Sequence, residues 1–147
     1  MIKKNAKIKV QFLYWLIAFS FLARLVAAYF TGDINDLQSA SVNEWNILIR
    51  NFIKYKTYSF YTHLGEAIPS VYMPPFYPFL LYLIKSSTSF LGLNFLYTTI
   101  LIQIILSTYS IYLFYKISEN FFSQKVSLIN SIIFSLIPIN LYASGQI

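Results

Sequence analysis

Apolar residues along this chain gather into long blocks instead of alternating with polar ones. Residues 10–30 are interrupted only by Gln11, Ser20 and Arg24. As a helix that block rises about 31 Å, close to the hydrocarbon thickness of a bilayer. Residues 95–115 form a second block, with Gln103 and scattered Ser and Thr. Such hydroxyls bond to their own helix backbone and cost little in lipid. A third block, 126–143, is broken by Asn130, Pro138 and Asn140. The pattern predicts three transmembrane helices, with Pro138 bending the third. A fourth apolar run, 76–84, meets Lys85 too soon to cross, since it rises only about 14 Å. Residues 76–92 therefore read as an interfacial or re-entrant helix.

The long loop at 31–75 has its own pattern. Gly32 suits the end of the first helix. Residues 41–53 read as an amphipathic helix, with Ser41 as N-cap and Glu44 closing a capping box. Trp45, Leu48, Ile49 and Phe52 share one stripe, with Glu44, Arg50 and Asn51 off it. Residues 55–61 are dense in aromatics and read as extended, and His63, Gly65 and Glu66 form a polar patch. Pro74-Pro75 forbids regular helix before it and suits a helix starting near Phe76.

Composition agrees with the membrane reading. Charged residues make up 11% of the chain and hydrophobic ones 57%, where a soluble domain carries about 25% charged. Disorder is excluded by the same apolar content. Cys is absent and His occurs once, so no disulfide framework or thiolate metal site exists. No carboxylate spacing defines a metal site, and the divalent-metal requirement stays open. The net charge is +6. Lys3, Lys4, Lys7 and Lys9 precede the first block without an acid, which places residues 1–9 in the cytoplasm. The apolar block is too long for a cleaved leader, so it reads as a retained anchor. The loop at 31–75 is then extracytoplasmic, and Lys116 and Lys125 flank a cytoplasmic turn at 116–125. Basic charge of this kind meets anionic lipid, and no nucleic-acid motif accompanies it. The expected fold is all-α: a multi-pass protein of the cell (inner) membrane with interfacial helices in its first outer loop.

Asn43-Glu44-Trp45, then Tyr58-Ser59, then Met73-Pro74-Pro75-Phe76-Tyr77-Pro78 leading into an apolar helix, carry a likeness. In that order, and with Tyr142-Ala143-Ser144-Gly145 near the end, they resemble the N-terminal part of family 39 glycosyltransferases. These are the dolichyl-phosphate-mannose–protein mannosyltransferase and aminoarabinose transferase relatives. The resemblance implies a GT-C-like fold of which this chain covers about the first third. It also implies transfer of a sugar, with inversion, from a polyprenyl-phosphate donor to an extracytoplasmic acceptor. Its partners would be membrane lipid and the lipid-linked sugar, with no separate cofactor. The family places an acidic residue, often an Asp-Glu pair, in this loop as general base. Here the pair reads Asn43-Glu44.

A carboxylate near the reacting carbon takes the acceptor's proton, and cations stabilise the leaving phosphate. The candidate bases are Glu44, Asp33 and Asp36. Candidate substrate-binding residues are Arg24, Arg50, Lys54 and His63, with Tyr58 and Tyr77 for stacking. Arg24 either snorkels to the interface or meets an anion within the membrane. The competing classes are a small non-catalytic membrane subunit and a transporter fragment. The latter calls for charged or broken helices at mid-membrane.

Overall fold

A computed structural model describes residues 2–32, 44–69 and 74–147, with side chains of the first stretch described from Gln11 onward. Asp33, Asp36, Ser41, Asn43 and Met73, named above, lie outside the described residues, as do the side chains of the four amino-terminal lysines. In chain order the helices are α1 (Ile2–Thr31), α2 (Glu44–Tyr55), α3 (Phe76–Leu91), α4 (Phe95–Glu119), α5 (Gln124–Leu136) and α6 (Pro138–Ala143). A two-stranded antiparallel hairpin, β1 (Tyr61–His63) and β2 (Glu66–Ile68), lies between α2 and α3. The fold is mostly helical, and this hairpin is its departure from the all-α expectation.

Among the described residues two helices are long and apolar enough to cross a membrane, over Gln11–Thr31 and Phe95–Glu119. They match the first two predicted spans. The third expected span is not one helix. Pro138 lacks an N–H, so the helix stops at Leu136 and restarts at Pro138. The Phe134 carbonyl, which Pro138 leaves without a helical donor, accepts instead from Asn140 Nδ2 at 3.3 Å. The 13 residues of α5 rise about 20 Å, short of the roughly 30 Å hydrocarbon layer.

The chain divides into two compact units. The first holds α1, most of α4, α5 and α6. Its buried row on α1 is Leu13, Leu16, Ser20, Arg24 and Ala28, followed by Gly32, at near-i,i+4 spacing. α5 buries Ser127, Ser131 and Ser135, again i,i+4. Small side chains at that spacing let helices approach closely. Their hydroxyls donate back to their own helix, Ser127 to Ser123 O at 3.1 Å and Ser131 to Ser127 O at 2.9 Å. Phe114 stacks on Phe134 at 4.5 Å, joining α4 to α5.

The end of the chain is fastened to the end of α1. A Cβ on Gly145 would lie 2.8 Å from Ala28 Cα, and one on Gly32 would lie 2.7 Å from the Gly145 carbonyl oxygen. Gln146 Nε2 donates to Thr31 O at 2.6 Å.

The second unit holds α2, the hairpin, α3 and the start of α4. α3 starts at Phe76, directly after Pro74-Pro75 as predicted, and stops at Gly92, which is left-handed (φ 68°) and donates to Thr88 O. Asn94 caps α4, its Oδ1 accepting from the N–H of Leu96 at 2.9 Å and Tyr97 at 3.2 Å.

Gly145→Ala should lower stability in detergent by about 1–3 kcal/mol, because backbone, not a flexible side chain, must move. Thermal unfolding of the variant measures this, and an unchanged transition contradicts the packing.

Candidate functional site

Of the expected stripe on α2, Leu48 and Ile49 are buried and Trp45 and Phe52 half-buried, and the helix also buries Asn46 and Asn51, the latter set off the stripe by the sequence pattern. That stripe packs on α3, which buries Pro78, Leu81, Ile84 and Thr88. Two edge-to-face aromatic pairs join the helices, Trp45 with Tyr77 at 5.0 Å and Phe52 with Tyr82 at 5.2 Å. Such pairs add roughly 0.5–1.5 kcal/mol each beyond area burial. The chain leaving α2 is held back against it. Asn51 Nδ2 donates to Ser59 O at 3.0 Å, and the Ser59 hydroxyl donates to Tyr61 O at 2.5 Å.

Two cavities result in this unit. One is an apolar slot of about 180 Å³, walled by Leu48, Ile49, Phe52, Phe79 and Tyr82 and completed by Tyr58, Pro75 and Pro78. Burial pushes the Tyr58 phenol up from its ordinary value, so it stays a neutral donor. The other, of about 210 Å³, is lined by Asn46, Arg50, Lys85, Phe95 and Leu96. Asn46 and Arg50 are i,i+4 on α2, so they share a face. Lys85 reaches the same cavity from α3. Its ammonium is held below the usual lysine range, first by burial and then by the charge of Arg50. Among the described residues the only ion pair joins Lys116 to Glu119, at 3.1 Å. Arg50 and Lys85 thus face one space beside the Asn46 amide, and neither cation is ion-paired with a carboxylate among the described residues. Phosphate fits such a donor set, since it accepts many charge-assisted hydrogen bonds.

The remaining expected residues are dispersed. Glu44 is exposed in the first turn of α2. The helix is described from Glu44, so the Ser41 half of the expected capping box lies outside the described residues. Lys54 is exposed, its Nζ 4.8 Å from the Tyr55 ring centroid. His63 sits on the exposed hairpin, paired in register with Glu66. Tyr77 is half-buried against Trp45. Lys54, His63 and Tyr77 line neither cavity. Among the described residues no group of three or more His, Cys, Asp or Glu is placed to hold a metal.

Arg24 belongs to the other unit and is 0% exposed. Its Nε donates to Ser107 Oγ at 2.8 Å and its Nη1 to Ser20 O at 3.2 Å. The guanidinium therefore runs back toward the helix's amino-terminal half, away from the nearer end, and does not snorkel to it. Nη2 has no hydrogen-bond partner among the described residues.

Lys85 and Asn46 are the residues that sequence reasoning missed. Lys85 is the sole charge in α3, and that isolation was the available signal. No family model, curated protein or solved structure matches the chain.

Because Lys85 loses its proton more readily in the folded chain, the unfolded chain binds more protons between the native and the ordinary lysine pKa. Stability should therefore rise with pH across that alkaline window. Arg50→Gln should make the rise shallower without removing it, since burial is the larger cause. Denaturation followed against pH checks both, and a profile indifferent to Arg50→Gln rejects the coupling.

Proposed function

We propose that this chain is part of a membrane glycosyltransferase that takes its sugar from a polyprenyl-phosphate donor on the outer side of the cell membrane. The observation that carries the reading is the cavity shared by Arg50, Lys85 and Asn46. A phosphate there would neutralise two like charges and favour the protonated form of Lys85. The apolar slot in the same unit supports it, offering aromatic and aliphatic walls suited to isoprenoid chain. The motif order Asn43-Glu44-Trp45, Tyr58-Ser59 and Pro74-Pro75-Phe76-Tyr77-Pro78 supports the same family.

In this reading α1 and α4 cross the bilayer with the amino terminus in the cytoplasm. The broken pair α5–α6 supplies the third crossing of a GT-C-like arrangement. Arg50 and Lys85 hold the phosphate and stabilise the charge that develops as the sugar–phosphate bond breaks. A loop carboxylate, Glu44, Asp33 or Asp36, takes the acceptor's proton.

Polyprenyl phosphate binding to the chain in nanodiscs tests the phosphate site. Arg50→Gln and Lys85→Gln should each weaken it about tenfold to a hundredfold, the scale of a lost charged hydrogen bond of about 1.5–3 kcal/mol. Parent-like binding by both variants overturns the assignment. Sugar transfer by Glu44→Gln, Asp33→Asn and Asp36→Asn tests the base. At least one should be inactive, and full activity in all three removes a loop carboxylate from the mechanism.

A further inference from the structure

α3 is apolar on two opposite faces. One face, Pro78, Leu81, Ile84 and Thr88, is buried. On the other, Phe76, Phe79, Leu83 and Phe90 are 78%, 54%, 46% and 90% exposed. At the helical period these four fall within about 60° of arc, on the side away from the buried row. No charged residue lies on that outer face, because the helix has only Lys85 and it turns into the cavity with Arg50. A row of this size left open to water is an interaction surface.

We infer that this outer face of α3 lies flat in the lipid interface, with its aromatic rings in the acyl boundary. Three observations select lipid as the occupant. The 16 residues of α3 rise about 24 Å, too little to cross about 30 Å of hydrocarbon. The segment that contains it runs from the end of α1 to the start of α4, the two helices able to cross a membrane, so both ends tether it to a bilayer face. The exposed positions of α2, by contrast, include Glu44 and Lys54, which suit water.

The unit is then layered as lipid, α3, α2 and water. Packed helix axes lie about 8–10 Å apart, and interfacial helices sink about 5–10 Å into the headgroup–acyl boundary. The cavity between Lys85 and Arg50 is thereby held at headgroup height, where a lipid-borne phosphate reaches it without leaving the bilayer. The docking rests on the crossing of α1 and α4, and not on sugar transfer; the phosphate placement rests on both.

The chain contains no Cys, so single-Cys spin labels need no background removal. Phe79→Cys, Leu83→Cys, Phe90→Cys and Lys54→Cys are each labelled in the full chain, reconstituted in phosphatidylcholine–phosphatidylglycerol vesicles without substrate. Collisional accessibility to oxygen and to an aqueous nickel complex gives the depth of each label. The three α3 labels should sit at one shared depth of about 5–10 Å below the headgroups, and the label at position 54 in water. Nickel-accessible α3 labels overturn the inference. So does depth that increases steadily along 79, 83 and 90, which marks a crossing or re-entrant helix. Labels shielded from both reagents, with spin–spin broadening, mark a second copy of the chain on this face and overturn it as well. A shared shallow depth together with parent-like polyprenyl phosphate binding in the Arg50 and Lys85 variants would leave the docking standing and remove the sugar-donor reading alone.

Discussion

The packing of α2 on α3 is the constraint on which the site in the second unit depends, because it brings two like charges to one cavity. Arg50 and Lys85 come from different helices, so nothing in the local backbone forces them together. The packing of α2 on α3 does, through two edge-to-face aromatic pairs beside the buried Leu48 and Ile49 of one helix and Leu81 and Ile84 of the other. The apolar contact thus holds a polar arrangement that disfavours itself. An incoming anion turns the repulsion into attraction on both sides, which is why phosphate is the ligand class this geometry fits.

Arg24 shows the other way a helix bundle handles a cation. It is fully buried, yet Ser107 and the Ser20 carbonyl already accept from two of its nitrogens. The surrounding helices are lined with small hydroxyl residues, which permit close approach and supply acceptors. Much of the guanidinium is therefore satisfied within its own unit, where Arg50 and Lys85 have no acid beside them among the described residues. The difference separates a residue that helps join α1 to α4 from two cations that no carboxylate neutralises among the described residues.

The aromatic residues divide in a similar way. Trp45, Tyr77, Phe52 and Tyr82 hold helix to helix. Phe76, Phe79 and Phe90 do not, and their exposure on one side of α3 gives the unit a direction. An aromatic count from the sequence treats both sets as one interfacial belt; only the packing separates rings that join helices from rings that remain outward.

By itself the sequence determined the features that depend on neighbouring residues. The positions of the two apolar spans follow from long apolar blocks, the start of α3 from Pro74-Pro75, and the stripe on α2 from its period. It did not reveal the hairpin, whose Leu64-Gly65 turn takes positive φ at both residues (50° and 86°) without the Asn-Gly or Asp-Gly cue that favours such turns. Nor did it show that Pro138 ends one helix and starts another, because a proline that bends and one that breaks look alike until Asn140 is seen to cover the freed carbonyl. The meeting of Arg50 with Lys85 was decided by tertiary structure alone. They are far apart along the chain, and the apolar stripes that register α2 on α3 say nothing, residue by residue, about which charges that register brings face to face.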